Sequence, residues 1–409
     1  MLPQDDDLAD IFSIPSHFRT LPPLRDEVVT ATSIAQDETT DECLPLLAAA
    51  LDARENPLAF NQFGIPKLRV EDHAEFLRNN LARFPARAVG LDASRPWLVY
   101  WGLLGLHFLG ENIAFARSSV FNTFFALQNA TGGFGGGHGH NSHLATTYGT
   151  ILSIAIVGGD TNYRLIDRMA MWRWLGRLKK ESGGFQISEG AEEDTRGTYC
   201  ALVILSLLNL PMELPHDAPS RAAGFKTFDD GIGEYISRCQ TYEGGISGTP
   251  GNEAHGAHWI GGCWPMIQNA LFGPSTPEQY EEDSAGDLYS AEGLARYIMC
   301  CCQALPGGLR DKPSMNPDSY HTCYTLSGIS TTEHHHGYQT PQEPGQFASA
   351  FSWWAVKKTP QEDGDIAAFE DGTEIEPMHP IYAIPHAAVD EIRKWSLSQP
   401  WRPSLDSPS

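Results

Sequence analysis

The chain has no run of about 18 apolar residues, so no membrane-spanning helix is expected. Its first residues, Met1-Leu-Pro-Gln-Asp-Asp-Asp7, carry neither a basic start nor an apolar stretch, and no secretory leader is read. Cysteine is sparse: eight residues, at positions 43, 200, 239, 263, 300, 301, 302 and 323, with no Cys-x-x-Cys pair. Three adjacent thiols, Cys300 to Cys302, do not resemble a secreted disulfide framework, so a reducing, cytoplasmic setting is expected. Basic residues are also scarce: 28 Lys and Arg against 51 Asp and Glu leave a net charge of −23. That balance argues against nucleic acid or anionic lipid as a general partner, favours solubility and leaves room for a local basic pocket. Convincing alternating strands are missing too.

What is present is repetition. Gly132-Gly133-Phe134, Gly183-Gly184-Phe185, Gly244-Gly245-Ile246 and Gly307-Gly308-Leu309 are each followed by a ring inside a helical run: Tyr148, Tyr199, His258 and Tyr324. Three residues before those rings stand Ala145, Arg196, His255 and His321. Self-similarity at this spacing marks an array of one supersecondary unit. The doublets themselves fit turns that end helices in a left-handed conformation.

From Val70 onward, apolar-periodic segments alternate with Gly/Pro punctuation: 69–83, 96–109, 118–129, 144–157, 163–179, 195–208, 229–239, 257–271, 290–304 and 322–329. Apolar residues at i, i+3, i+4 and i+7, as in Tyr199, Val203 and Leu207 with Ile204 and Leu208, are helical. The expected fold is all-α, built of αα-hairpins packed side by side in one domain, 56–400. Residues 1–55 are read as a loose acidic arm with one amphipathic stretch, Glu42 to Leu51. Acidic surface loops are expected at 273–287 and 359–376, and a disordered Pro/Ser-rich tail at 401–409.

If the second helix of each hairpin faces inward, its first turn points free N–H groups into a shared space, which favours an anionic ligand such as phosphate. Arg196, His255 and His321 fall in such turns, and His143 precedes Ala145. Around them stand Tyr148, Tyr199, Trp259, Tyr320 and Tyr324, with Trp97 and Trp101 four apart on another helix. Taken singly, these are ordinary core aromatics and capping histidines. Repeated at matching places, they suit a ligand with an anionic head and a long apolar tail. His321, with Cys323 two residues on, does not make up the three or four ligands zinc takes.

Several strings carry a family resemblance: Leu91-Asp-Ala-Ser-Arg-Pro-Trp-Leu-Val-Tyr-Trp101, Gly132 to Gly137 with His143 to Tyr148, Glu192 to Cys200, Glu243 to Gly256, Pro306 to Pro313, Ser319 to Tyr324, and His379-Pro-Ile-Tyr382. From about Phe18 to Gln399 the chain resembles the β subunits of protein farnesyltransferases, which modify proteins ending in Cys-a-a-X. The resemblance implies an α/α toroid of six hairpins, a helical α subunit in a heterodimer, a zinc ion, and farnesyl diphosphate used with magnesium. It implies that His143, Tyr148, Arg196 and Tyr199 wall the isoprenoid and peptide pocket, and that Trp97, Trp101 and Tyr320 contact the a-a-X side chains. It further implies that His255 binds diphosphate, that His321 is a zinc ligand, and that Trp97 and Tyr324 form a floor suited to a 15-carbon chain.

The chain departs from that pattern after Gly256. The family continues with another hairpin, a Gly-Gly-Phe turn, an Arg and a Lys for diphosphate, and an Asp-Gly-Cys-Tyr string with two zinc ligands; here Gly256 runs straight to Ala257-His-Trp-Ile-Gly-Gly-Cys-Trp264. One register sets Gly261-Gly-Cys263 on Asp-Gly-Cys and keeps Cys263 as a ligand. The preferred register sets His258 to Gly262 just after the lost string and also aligns Trp264-Pro-Met-Ile267. About 50 residues, one hairpin unit, are then missing. Three readings follow. The chain is an active farnesyltransferase β subunit whose sequence lacks an exon, which is preferred; a catalytically dead scaffold that binds prenyl groups or an α subunit; or a relative, a geranylgeranyltransferase β subunit or an α/α-barrel terpene cyclase. The Asp-x-Asp-Asp string of a protonating cyclase is absent, and Trp97 opposes a longer prenyl chain.

Overall fold

A computed structural model describes residues 28–52, 65–242, 245–253, 260–278, 291–342, 345–358 and 375–401. In chain order its elements are α1 (Ala31–Asp52), α2 (Val70–Ala82), α3 (Arg95–Phe108), α4 (Arg117–Phe125), α5 (Leu144–Val157), α6 (Asp160–Arg164) and α7 (Arg168–Leu178). Then follow α8 (Thr195–Leu207), α9 (Ile232–Cys239), α10 (Ile260–Phe272), α11 (Ala291–Tyr297), α12 (Ser319–Glu333), β1 (His334–Tyr338), β2 (Trp353–Lys357) and α13 (His386–Ser398). Helices α8, α5, α3 and α12 pack successively on one another, with α2 against α3, α11 and α10 against α12, and α13 against α5 and α8.

The sequence separates inner from outer helices. Leu144-Ala-Thr-Thr-Tyr-Gly-Thr-Ile-Leu-Ser-Ile-Ala-Ile-Val157 is buried at nearly every position, as an inner helix surrounded by others must be. Its hydroxyls turn back on the helix, Thr150 Oγ1 to Thr146 O at 2.9 Å and Ser153 Oγ to Gly149 O at 2.7 Å. Helix α7 instead buries one stripe, Met171, Trp174, Leu175 and Leu178, and is an outer helix.

The glycine doublets do not end helices. Helix α4 stops at Phe125, and the Gly132 turn is closed by a bridge between Gln128 and Phe134; the same bridge joins Lys179 to Phe185, Gln240 to Ile246 and Gln303 to Leu309. Glycine is needed here for close approach. A methyl on Gly132 would collide with the Ala170 carbonyl, on Gly183 with that of Gly231, and on Gly307 with that of Asp72. In these three doublets the second glycine lies against a ring one helical turn later: Trp174, Tyr235 and Phe76. The Gly132 and Gly183 turns therefore seat on the outer helix of the following unit, and the Gly307 turn seats on α2. The His73 imidazole fixes that seam: Nδ1 accepts from Gly308 N at 2.9 Å, and Nε2 meets Gln303 Oε1 at 3.0 Å. At three of the four doublets the apolar residue that follows is buried, and its N–H bonds a threonine of the next helix: Phe134 to Thr147 at 2.9 Å, Phe185 to Thr198 at 3.3 Å and Leu309 to Thr322 at 2.9 Å; Ile246, after the Gly244 doublet, is exposed.

Several expectations need correction. The arm is not loose over its described part: residues 31–52 form α1, whose Cys43 is buried, and α1 packs on the Ile298–Cys302 π-turn that follows α11. The segment expected over 163–179 is two helices, because the Asp167 carboxylate caps α7 through Ala170 N at 2.9 Å. A two-stranded antiparallel ribbon, β1 paired with β2 from His334↔Lys357 to Tyr338↔Trp353, was not foreseen. It lacks apolar alternation, and Gly337 makes room for the Trp354 ring across the pair. The expected loops at 273–287 and 359–376 lie largely outside the described residues, though Trp354 Nε1 donates to Ser275 O at 2.8 Å. Trp401, expected in the tail, is half-buried and meets Trp172 edge-on at 5.6 Å.

Candidate active site

The first turns of the inner helices are set by a shared capping position nine residues after the buried residue of each turn. His143 caps α5 by accepting from Ala145 N at 3.1 Å through Nδ1, Asp194 caps α8 from Arg196 N at 2.7 Å, and Asp318 caps α12 from His321 N at 2.7 Å. This register corrects the expected equivalence of Ala145, Arg196 and His321. Counted from the caps, the counterpart of Arg196 is Tyr320, and His321 stands one residue later, about 100° further round the helix. Likewise Cys323, not Tyr324, matches Tyr148 and Tyr199. Counting back from the rings misled because α12 carries its ring one position late.

The predicted aromatics converge. Tyr199 lies 5.8 Å from Tyr148 between ring centroids, Tyr148 5.7 Å from Trp97, and Trp97 5.9 Å from Trp101. Trp101 then meets Tyr320 edge-on at 5.1 Å, and Tyr320 meets Tyr324 at 4.8 Å and His321 at 5.0 Å. One continuous arc thus crosses α8, α5, α3 and α12. Trp101 Nε1 donates to Tyr324 Oη at 3.3 Å. Tyr199 and Tyr320, 42% and 40% exposed, form the open ends, whereas Tyr148 is buried. Burial holds the phenols of Tyr148 and Tyr324 above their ordinary pKa and pushes Tyr199 up to about 12, so the wall is uncharged at neutral pH.

At the Tyr199 end, the Arg196 guanidinium grips Asp194, Nε to Oδ1 at 3.0 Å and Nη2 to Oδ2 at 2.6 Å. Burial works to raise the Asp194 carboxyl, but bonds from the Arg196 side chain and backbone win and hold it below the usual range. The Arg196 side chain is 69% exposed and carries its charge to the rim. Burial holds His143 below its ordinary pKa, and its Nδ1 accepts, so the neutral ring presents Nε2–H. At the other end, His321 Nδ1 meets Asp318 Oδ2 at 2.9 Å, which places the ring's lone pair on Nε2, the arrangement of an imidazole metal ligand.

A lone imidazole does not hold a catalytic zinc ion. Among the described residues no three His, Cys, Asp or Glu side chains form a metal-ligating group. Cys323 is fully buried, and burial raises the thiols of Cys323 and Cys263. The described residues do not by themselves fit the zinc that the resemblance implies. His255, His258 and Trp259 lie outside the described residues.

Sequence reasoning missed the supports. Tyr100 is buried beneath Trp97, 5.7 Å away edge-on, and donates to Ala383 O at 3.1 Å. Tyr199 donates to Ile381 O at 2.7 Å, and Tyr382 to Ser206 Oγ at 3.1 Å, so the His379-Pro-Ile-Tyr382 string clamps α8. Asp194 and Asp318 were legible as Asp at a fixed distance past each doublet.

Helical hairpins ringed around an aromatic wall, with a cation at one end, define an α-α toroid for an isoprenoid-like ligand. The family model described as "Prenyltransferase alpha-alpha toroid domain" matches residues 68–258 and 257–384, and the chain belongs to that family. It is 38% identical to a protein farnesyltransferase subunit beta of Pyricularia oryzae over 449 aligned positions, covering 95% of this chain and 85% of that one. It is 28% identical to the corresponding subunit of Schizosaccharomyces pombe, covering 91% and 98%. The solved Candida albicans protein geranylgeranyltransferase-I complexed with GGPP superposes with a TM-score of 0.53 at 16% identity, covering 81% of this chain and all of that one; this shows the fold alone. An alignment of 449 positions is longer than this 409-residue chain and requires gaps in it. The two family matches meet at 257–258, the junction where the sequence departs from the resemblance.

Proposed function

We propose that the chain is the β subunit of a protein farnesyltransferase, working in the cytoplasm with a helical α subunit. The heterodimer transfers farnesyl from farnesyl diphosphate, used with magnesium, to the Cys thiol of proteins ending in Cys-a-a-X. The observation that carries this is the unbroken arc from Tyr199 through Tyr148, Trp97 and Trp101 to Tyr320, an uncharged wall for an isoprenoid with Arg196 at one end. Trp97 and the Trp101–Tyr324 bond fill the base of that wall and favour 15 carbons over 20. In the preferred register His321 is the one implied zinc ligand that the described residues supply.

That shortfall, with the gap at 257–258, favours a second reading: as written, the chain binds the prenyl diphosphate and an α subunit without transferring the group. Co-expression with a farnesyltransferase α subunit, followed by labelled farnesyl diphosphate and a Cys-a-a-X peptide, separates the two. Labelled peptide supports the first reading; tight binding of diphosphate without label supports the second. Failure to bind farnesyl diphosphate overturns both.

A further inference from the structure

Helix α1 is fastened to the rest of the molecule at few points. Over residues 31–47 the buried side chains are those of Ser33 and Cys43. Ser33 turns its hydroxyl back on its own chain, donating to Thr30 O at 3.1 Å and accepting from Thr30 N at 2.9 Å. Over that stretch Cys43 is therefore the buried side chain that seats the helix, while Leu44 and Leu46 beside it stay exposed.

The seat is made of thiols. Helix α1 packs on the Ile298–Cys302 π-turn, where Cys301 and Cys302 are buried and Cys300 is half-buried. The Cys43 thiol stands within hydrogen-bonding reach of the Cys301 thiol. Cys302 instead directs its Sγ to Asp311 O at 3.8 Å. All of these cysteines are free. Two thiols in contact need little backbone movement to reach the Cα separation of a disulfide, roughly 4.4–6.8 Å. Burial raises the Cys301 thiol, so the pair is inert while α1 is seated. A surface helix with so few buried contacts opens locally at much less than the cost of unfolding the domain, and each opening exposes both sulfurs to solvent.

We propose that Cys43 and Cys301 form a reversible disulfide when the protein meets a peroxide, a redox latch that fixes α1 to the π-turn. When α1 lifts, one thiol loses its proton and attacks a peroxide oxygen. The O–O bond breaks, a sulfenic acid forms, and the released hydroxide leaves with that proton as water. The second thiol attacks the sulfenic sulfur, the S–O bond breaks, the S–S bond forms, and a second water carries off the remaining proton. The two sulfurs together lose two electrons and the peroxide gains them. Transient disulfides of this kind suit a reducing compartment, where they report on oxidant. The π-turn runs directly into Gln303, whose side chain accepts from Arg69 N at 3.0 Å and meets His73 at the closing seam. The latch would thus clamp the N-terminal helix beside the place where the ring closes. It uses no residue of the aromatic arc and does not depend on prenyl transfer.

The test exposes the folded full chain to hydrogen peroxide, blocks remaining thiols with an alkylating agent, and maps the peptides by mass spectrometry. A single intramolecular Cys43–Cys301 disulfide is expected, reversed by dithiothreitol, together with a slowing of proteolytic cleavage within α1 by roughly tenfold or more. Cys43→Ser and Cys301→Ser should each abolish both the bond and the slowing, whereas Cys300→Ser should keep both. Should Cys301→Ser fail to fold, Cys43→Ser on the surface helix gives the same reading. Oxidation that stops at sulfinic acid, a disulfide between other cysteines or between two chains, or a Cys43–Cys301 bond that leaves cleavage of α1 unchanged would overturn the proposal.

Discussion

Lowering the pH should unfasten the seam where the ring closes on itself. His73 is fully buried between α2 and the last Gly-Gly turn, accepting from Gly308 N and paired through Nε2 with Gln303 Oε1. Burial is the main cause that lowers its pKa from 6.5 to about 4, with Arg69 adding to it against the Gln303 bond. The folded value lies below the unfolded one, so the unfolded chain takes up the proton first. Stability on this account is complete above about pH 6.5, falls as pH drops through that value, and stops falling near pH 4. A gap of this size corresponds to about 3 kcal/mol in full, and to about 2 kcal/mol at pH 5. The assay is urea unfolding at a series of pH values for wild type and His73→Asn. Asparagine sets its amide oxygen where Nδ1 stands and cannot be protonated. The variant loses some stability at every pH, but the wild-type excess of pH-dependent loss, about 3 kcal/mol between pH 6.5 and 4, should vanish from it. Histidines elsewhere titrate in both proteins and cancel. Parallel pH profiles for the two proteins would refute the argument.

Gly183→Ala sets a methyl against the Gly231 carbonyl at a φ of +98°, and should cost more than about 3 kcal/mol by denaturant midpoint. Thr147→Val keeps the side-chain shape but orphans the buried Phe134 N–H now bonded at 2.9 Å, a loss of about 1–3 kcal/mol in the same assay. Asp194→Ala removes the α8 cap, about 1 kcal/mol, and releases Arg196 from its carboxylate, so affinity for a prenyl diphosphate measured by calorimetry should rise. Trp97→Ala hollows the base of the arc, and the ratio of geranylgeranyl to farnesyl diphosphate affinity should increase; an unchanged ratio would remove Trp97 from chain-length selection.

The inner helices were legible because each carries its apolar residues on a helical period and opens at a polar cap; Leu144–Val157 matches its expected bounds. The aromatic wall was legible because rings spaced by turns of neighbouring helices meet across a concave face. The register of its polar residues was not. It is set by the Thr147, Thr198 and Thr322 hydroxyls on the turns, a feature no count from the rings discloses. Nor was the ribbon, since His334-His-His-Gly-Tyr338 pairs through its backbone and through a glycine opposite Trp354.

The seam also bears on the shortened array. A toroid that loses a unit must either leave a breach or remake its closing contact, and the contact here is the same one used inside the array. Gly307 meets α2 as Gly132 meets α7 and Gly183 meets α9, backbone against glycine with a ring one turn on. Because the seam lies between the last turn and the first helix, it holds α12 beside α3, and with them Trp101, Tyr320 and Tyr324. The junction at 257–258 falls elsewhere in the chain, in the stretch where the resemblance places the other zinc ligands and the diphosphate bases. The aromatic wall is therefore held independently of the segment that the resemblance places at the junction. The two proposed readings of the function therefore share this wall and are separated by transfer and not by binding.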